Sequence, residues 1–458
     1  MLQRAMLFLG PVVGLLVGVV MLRSGWESAA AWTAGVTTLT ALWWVFEPIP
    51  IPATSLIPIA VLPLVGVLQA DEVGAAYGDK LILLLLGGFL LSSAMERSGA
   101  HRRIALNMVT LMGGTSGRRL VFGFMATSAL LSMWISNTAT VLMLLPIVLA
   151  VVEKAKSPQL TTALLLGVAY AASVGGIGTP VGTPPNLIFM KVYFETTGVE
   201  ITFLKWMSWS LPVVVVMVPL TALWLTRNLR QQESIELPSV GAWRPEEVRT
   251  LLVFAVTALL WITRQDPYGG WSGEYLLDLP GANDASVALL AVVALFVIPN
   301  GRGSRLLDWE TAAKIPWGVL LLFAGGIVIA KAFASSGLSE SLGDALASWG
   351  HLHTFLLIGA TCLSITFLTE VTSNTATANL LLPVLAVAAV ALGAEPKVLM
   401  VPATISASFA FMLPAATGPN AVIFSSGKLT VRTMAREGFV LNLLGAVVVT
   451  CLCYAMFG

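Results

Sequence analysis

Five residues occur twice in this chain. Ser136-Asn137-Thr138-Ala139-Thr140 returns 237 positions later as Ser373-Asn374-Thr375-Ala376-Thr377. Each copy lies in a strongly apolar stretch and is followed at the same spacing by a proline, Pro146 and Pro383. Uncharged polar side chains bunched in a hydrocarbon setting are costly unless they bind something. Two identical bunches, one in each half of the chain, predict a two-fold-related binding site. Two further blocks recur in the same order. Leu86-Gly87-Gly88 through Ser98-Gly99 matches Ala324-Gly325-Gly326 through Ser336-Gly337, and Pro180-Val181-Gly182-Thr183-Pro184-Pro185-Asn186 matches Pro414-Ala415-Ala416-Thr417-Gly418-Pro419-Asn420. Three blocks at nearly constant offset mark an internal duplication.

The apolar setting defines the class. Of 458 residues, 57% are hydrophobic and 11% charged, against about a quarter charged in a soluble domain. Apolar runs of spanning length recur, so the chain reads as an all-α polytopic membrane protein. A net charge of +1 implies no nucleic-acid partner. Cys362, Cys451 and Cys453 all lie in apolar segments and read as helix residues rather than a disulfide framework or metal site. The first apolar run, 6–22, is long enough to span and lacks a clear small-residue cleavage site, so it reads as a retained helix.

Full crossings are expected near 6–22, 30–46, 52–68, 80–97 and 207–226 in the first half, and near 249–264, 285–299, 316–335 and 437–457 in the second. The segments 119–153 and 354–392 are apolar but interrupted at their centres by Ser-Asn-Thr. At about 1.5 Å per helical residue, half-length helices of that size reach only the midplane and return. Both segments therefore read as re-entrant hairpins. Residues 159–198 and 397–425 each hold a Gly/Pro cluster between apolar helices and read as broken helices. Counting each broken helix as one crossing gives about eleven transmembrane helices plus two hairpins.

Lys and Arg concentrate in 97–119, 154–156, 227–249 and 301–314, which places those segments in the cytoplasm. The segment 265–284 carries Asp266, Glu274, Asp278 and Asp284 without Lys or Arg and is expected outside. The N-terminus is then cytoplasmic and the C-terminus external, in a multi-pass protein of the cell's inner (plasma) membrane. Five crossings per repeat is an odd number, so the two repeats have inverted topology and both Ser-Asn-Thr tips meet near the bilayer centre.

Breaking a helix at the midplane frees backbone N–H and C=O groups where no bulk water is available. Pro180, Pro184 and Pro185 prevent continuous helical bonding, Gly178 and Gly182 permit close approach, and Pro414, Gly418 and Pro419 act likewise in the second half. Freed carbonyls with Ser/Thr hydroxyls and Asn amide oxygens suit a small hard cation. Half-helix N-termini suit an anion. A site with both parts is what a symporter needs. Ser132 and Thr369 stand one helical turn before Ser136 and Ser373, again 237 apart. Small residues packing between helices would explain one copy. The recurrence favours a site.

These residues resemble the divalent anion/sodium symporter family, whose members carry di- and tricarboxylates or sulfate. The doubled Ser-Asn-Thr is its hallmark. The stretch Thr404-Ile405-Ser406-Ala407-Ser408-Phe409-Ala410-Phe411-Met412-Leu413-Pro414, continued by Ala416-Thr417-Gly418-Pro419-Asn420-Ala421, is similar to its signature. So is Trp43-Trp44-Val45-Phe46-Glu47-Pro48-Ile49-Pro50. The resemblance implies substrate contacts from Asn137, Thr138, Asn374 and Thr375, with Thr183 and Thr417 beside them. It implies one Na+ among Ser132, Ser136, Asn137 and backbone at Gly182, and a second among Thr369, Thr372, Asn374 and backbone at Ala416. It also implies a homodimer in which a transport domain, 119–226 and 354–458, slides as an elevator against a scaffold, 1–118 and 227–353. The family usually carries Thr-Pro-Pro-Asn where this chain has Thr417-Gly418-Pro419-Asn420, a change that loosens the turn.

The expected activity is Na+-coupled symport of C4 dicarboxylates such as succinate, malate or fumarate. Sodium-independent exchange, citrate or sulfate symport, and an anion channel of the same architecture remain open. An enzyme is not expected. The three histidines, 101, 351 and 353, form no His-Glu-x-x-His, and there is neither a paired intramembrane aspartate nor Gly-x-Ser-x-Gly. Glu370, three residues before Ser373, is a candidate for charge at a sodium site, with a vestibule-facing or lysine-paired role as the plainer reading. Lys331 is expected to snorkel or pair rather than bind substrate. Glu47 reads as a helix cap or interfacial anchor, and Arg102 and Arg103 as ordinary positive-inside residues.

Overall fold

The structure, a computed structural model, describes residues 2–111, 117–155, 157–229, 241–265, 269–274, 276–341 and 353–458. Asp266, His351 and part of the basic segment 227–249 lie outside the described residues. Among the described residues the chain is helical, with one isolated bridge, Pro299 to Arg305, and no strand. Nine helices among them are long and apolar enough to cross a membrane. Their outward faces are apolar too. Phe8, Leu15, Val215 and Leu223 are 73%, 61%, 67% and 67% exposed, a pattern suited to lipid rather than water.

Helices Leu2–Arg23, Ser28–Phe46, Lys80–Ser98, Phe203–Thr226, Pro245–Ile262, Asp284–Val297, Trp317–Ser335 and Val431–Phe457 fall where the apolar runs predict crossings. The run 52–68 differs. It forms two short helices, Ile51–Thr54 and Leu56–Leu64, then turns. Ser55 sits at the break, where its hydroxyl donates to Ile51 O at 2.9 Å and accepts Trp44 Nε1–H at 3.0 Å. Pro58 and Pro63 lack the N–H that a longer helix needs. The helical piece 51–64 covers about 21 Å at ~1.5 Å per residue, the same length as the 14-residue helix Asp284–Val297. The basic stretch after Gly99 also differs, since it contains a helix, Ala100–Leu111. Arg102 is exposed on it, whereas Arg103 is 7% exposed and bonds Glu247 Oε2 at 2.7 Å. Arg103 thus ties this helix to the start of Pro245–Ile262, beyond any positive-inside role.

Both expected hairpins form. Gly117–Ser132 and Asn137–Ala155 are the arms of the first, Thr354–Thr369 and Asn374–Ala391 those of the second. Both broken helices form as well: Pro158–Gly176 then Pro184–Thr197, and Lys397–Ser406 then Gly418–Phe424. The two halves are antiparallel. Tyr193, late in the first broken helix, donates to Glu395 just before the second at 2.9 Å. Arg227, at the end of Phe203–Thr226, pairs with Glu437 early in the last helix at 2.9 Å. The arm Pro158–Gly176 is the most enclosed of the nine apolar helices, with 83% of its apolar window buried. Gly175 makes this possible, because a Cβ there would press into the backbone of Ala129 in the first hairpin.

Candidate functional site

Each hairpin tip begins with a hydroxyl and ends with an asparagine. Ser132 Oγ lies within hydrogen-bond reach of Asn137 Oδ1 and, at 2.6 Å, of Ala172 O on the first broken helix. Thr369 Oγ1 lies 2.7 Å from Asn374 Oδ1 and 2.9 Å from Ala407 O at the second break. A hydroxyl has one proton to donate. In each half, therefore, one of two acceptor oxygens faces a hydroxyl lone pair. Three converging neutral oxygens with too few protons form a set that a hard cation completes.

The two breaks share three equivalent bonds. Asn186 Nδ2 donates to Gly176 O at 3.1 Å and Thr179 O at 2.7 Å, and Asn420 Nδ2 donates to Ala410 O at 2.9 Å and Leu413 O at 3.0 Å. Gly182 N–H donates to Thr179 O at 3.3 Å, and Ala416 N–H to Leu413 O at 3.2 Å. The asparagines supply the donors that the breaks remove from the helix. Their own Oδ1 atoms are buried without a hydrogen-bond partner, which adds two further oxygens without a proton. Thr183 and Thr417 are N-caps of the two outgoing half-helices, and the Thr417 hydroxyl accepts Asn420 N–H at 3.2 Å.

The tips and breaks line one cavity of about 860 Å³. Asn137, Thr138, Thr183, Asn374, Thr375 and Thr417 all reach it, as do Ser136, Gly182, Thr372 and Ala416. Ser132 and Thr369 lie just behind the surface, each fully buried. The cavity extends to Gln3, Glu47 and Pro316, at one end of the bundle. Its lining contains no Lys or Arg; Glu47 and Glu370 are its ionisable members. An anion entering it would meet hydroxyls, amides and the N-termini of helices 137–155, 184–197 and 374–391. Among the described residues no cluster of His, Cys, Asp or Glu is placed to hold a metal. The donors are neutral oxygens, as befits an ion that must leave again.

Most expected site residues converge, with some distinctions. The Ser136 hydroxyl accepts Ala139 N–H at 3.2 Å, capping the second hairpin arm. The Thr372 hydroxyl engages Leu368 O at 2.9 Å and Thr377 Oγ1 at 2.6 Å, apart from the Thr369–Asn374 set. Gly418 does not loosen its turn. It begins a regular helix that Thr417 caps, and its missing Cβ makes room for Thr138, whose Cβ and Cγ2 would both lie 3.1 Å from an added methyl. Lys331 reaches Glu72 O at 3.2 Å, away from the cavity. Glu47 caps Ser28–Phe46 in the left-handed region (φ 47°) and borders the cavity mouth. The carbonyls of Ala172 and Ala407 escape a side-chain reading altogether. Asn186 and Asn420 carried a signal, since both end a recurring block.

Comparison with known proteins accords with this geometry. The profile described as the sodium:sulfate symporter transmembrane region matches residues 3–457. The sodium-dependent dicarboxylate transporter SdcS of Staphylococcus saprophyticus is 37% identical over 477 residues, covering 99% of this chain and 91% of that protein. SdcS of Staphylococcus aureus strain USA300 is 37% identical over 473 residues, covering 98% and 90%. Among solved structures, Neisseria gonorrhoeae MtrF aligns with a TM-score of 0.61 at 17% identity, covering 91% of this chain and 97% of MtrF. The Alcanivorax borkumensis YdaH transporter aligns at 0.58 and 16%, covering 85% and 88%. At such identities these two structures speak for the fold alone.

Proposed function

The chain belongs to the sodium:sulfate symporter family of membrane transporters, and from that premise we propose that it couples the uptake of a C4 dicarboxylate to Na+. The observation that carries this reading is the pair of proton-poor oxygen sets, Ser132–Asn137–Ala172 and Thr369–Asn374–Ala407, flanking one cavity without a basic side chain. The cations provide what the cavity lacks, so anion binding depends on them. One Na+ sits with Ser132, Ser136, Asn137 and the Gly182 backbone, the other with Thr369, Thr372, Asn374 and the Ala416 backbone. Asn137, Thr138, Thr183, Asn374, Thr375 and Thr417 hold the two carboxylates. The names of the SdcS relatives favour dicarboxylate over sulfate.

In this reading the hairpins, broken helices and their following crossings (119–226 and 354–458) form a transport domain. It moves as an elevator against a scaffold of 1–118 and 227–353 in a homodimer. The N-terminus is cytoplasmic and the C-terminus external. The test is uptake of labelled succinate into proteoliposomes holding the purified protein, with an inward sodium gradient or potassium in its place. Saturable, sodium-dependent uptake is expected. Sodium-independent uptake that needs internal dicarboxylate would make the protein an exchanger. Flux that does not saturate would make it a channel. No succinate uptake in any condition would redirect the search to citrate and sulfate.

A further inference from the structure

The two halves of the site share the hydroxyl–asparagine–carbonyl set at each tip and the asparagine bonds at each break, but they differ in the tie between tip and break. The position three residues before Ser-Asn-Thr is Met133 in the first half and Glu370 in the second. In the first half the tie between tip and break is neutral, with the Thr179 hydroxyl donating to Met133 O. In the second it is made by a carboxylate. Glu370 Oε1 accepts the N–H groups of Phe411 at 2.7 Å and Met412 at 2.8 Å and the Asn442 amide at 2.7 Å. Oε2 accepts Leu413 N–H at 3.0 Å. The side chain is 5% exposed and borders the cavity.

Three successive peptide groups are thereby oriented by one side chain. Two of their carbonyl ends are fixed as well: Ala410 O accepts from Asn420 at 2.9 Å and Phe411 O from Tyr170 at 2.6 Å. Leu413 O, in the next peptide group, accepts from Asn420 at 3.0 Å and from Ala416 N–H at 3.2 Å. The position of the Ala416 peptide follows from that of Leu413, and that of Leu413 from Glu370. Glu370 also stands next to Thr369, whose hydroxyl belongs to the oxygen set. It carries a full negative charge in a wall where its symmetry mate carries none.

We infer that Glu370 is the positioning residue of the second cation site, making the two otherwise equivalent half-sites unequal in sodium affinity. It acts in two ways. It holds the break 411–416 so that backbone oxygen faces Thr369 and Asn374, and its charge favours a cation beside them. The second half-site is consequently the tighter one. This inference deepens the sodium-coupled reading above and rests on it. A merely structural carboxylate, present to satisfy three buried N–H groups, would support folding without changing how much sodium the site needs.

The experiment compares wild type with Glu370→Gln in two assays. Glu370→Gln removes the charge and turns an NH₂ toward one of the N–H donors. The first assay is the sodium-dependent rise in melting temperature of the purified protein in detergent without substrate. The second is succinate uptake against sodium concentration. The expected result is a folded Glu370→Gln whose half-saturating sodium rises roughly ten- to a hundredfold, the usual scale for loss of a group that orients metal ligands. The succinate KM, measured at saturating sodium, stays near wild type. A folded Glu370→Gln with the wild-type sodium curve overturns the inference. If Glu370→Gln does not fold, Glu370→Asp keeps the charge on a side chain one methylene shorter, which cannot reach all three N–H groups. Its sodium curve must shift the same way, and an unshifted curve overturns the inference equally. A wild type that melts higher in sodium but takes up no succinate would remove the proposed substrate and leave Glu370 to the melting curves. A wild type whose melting ignores sodium would remove both.

Discussion

The most local departure from the resembled pattern is Gly418. A methyl at this position would clash with the Thr138 hydroxyl oxygen and lie 3.1 Å from its Cβ and Cγ2, so the glycine lets a residue of the first hairpin press against the start of the second outgoing half-helix. Glycine at a helix start costs little, because Thr417 supplies the cap. Gly418→Ala is therefore expected to raise the succinate KM by displacing Thr138, while melting changes little. A KM equal to wild type would show that Thr138 does not hold substrate from this position. Side chains of this kind were legible in the sequence. Asn137, Thr138, Asn374 and Thr375 announce themselves by recurring, and so do Ser132 and Thr369. The carbonyls of Ala172 and Ala407 were not legible, because a backbone oxygen has no letter of its own. Only packing reveals that each lies beside a tip hydroxyl.

Between elements, one link that joins the two halves at the site is Tyr170. It is fully buried on Pro158–Gly176, donates to Phe411 O at 2.6 Å, and packs its ring on Phe411 at 5.0 Å. A buried hydrogen bond is worth about 1 kcal/mol net, and a buried carbonyl left without a partner costs about 1–3 kcal/mol. Tyr170→Phe keeps the packing and removes the bond, so it should lower the melting temperature of the detergent-solubilised protein. An unchanged melt would mean that water replaces the hydroxyl. The broken helices were legible as elements, because Pro and Gly clusters interrupt runs too apolar to be loops. The run 52–68 was legible as apolar but not as a piece broken at Ser55, where Pro58 has no N–H to offer Thr54 O. The helix Ala100–Leu111 was hidden by its charge, since Arg103 reads as a solvated residue until Glu247, 144 positions away, is folded against it.

At the scale of the whole molecule, the cavity mouth and the ion pairs that join the two proposed domains lie at opposite ends. The cavity runs toward Gln3, Glu47 and Pro316, the end that also carries Arg97 paired with Asp308 and Arg103 paired with Glu247, both within the proposed scaffold. At the other end, pairs cross from the proposed transport domain to the scaffold. Lys191 meets Asp79 at 2.6 Å, and Glu200 meets Lys80 at 2.9 Å and Arg264 at 3.0 Å. The proposed elevator movement would have to break these three, and they would then act as a latch on the state with its cavity open toward the end that carries Arg97 and Arg103. Glu200 lies between helices, outside the spans. Burial alone would raise the pKa of its carboxyl, but hydrogen bonds and charge from Lys80 and Arg264 outweigh burial and hold it below the usual range. A lowered pKa means that Glu200 is ionised and paired at neutral pH. The stabilisation from its pairs is lost only as pH falls through that lowered value, so acid weakens the latch and base does not. Ala415 lines the cavity; Ala415→Cys, in a protein whose three native cysteines are replaced, reports from which side the cavity is open. Adding Lys191→Ala and Glu200→Gln should raise several-fold its rate of reaction with an impermeant thiol reagent applied at the ion-pair end. Acid below the ordinary carboxylate range should raise the rate, corrected for the smaller thiolate fraction, in the parent more than in the doubly substituted protein. A rate that neither the substitutions nor acid can move would mean that the ion pairs do not hold this state, and that the scaffold grips the transport domain through its apolar contacts alone.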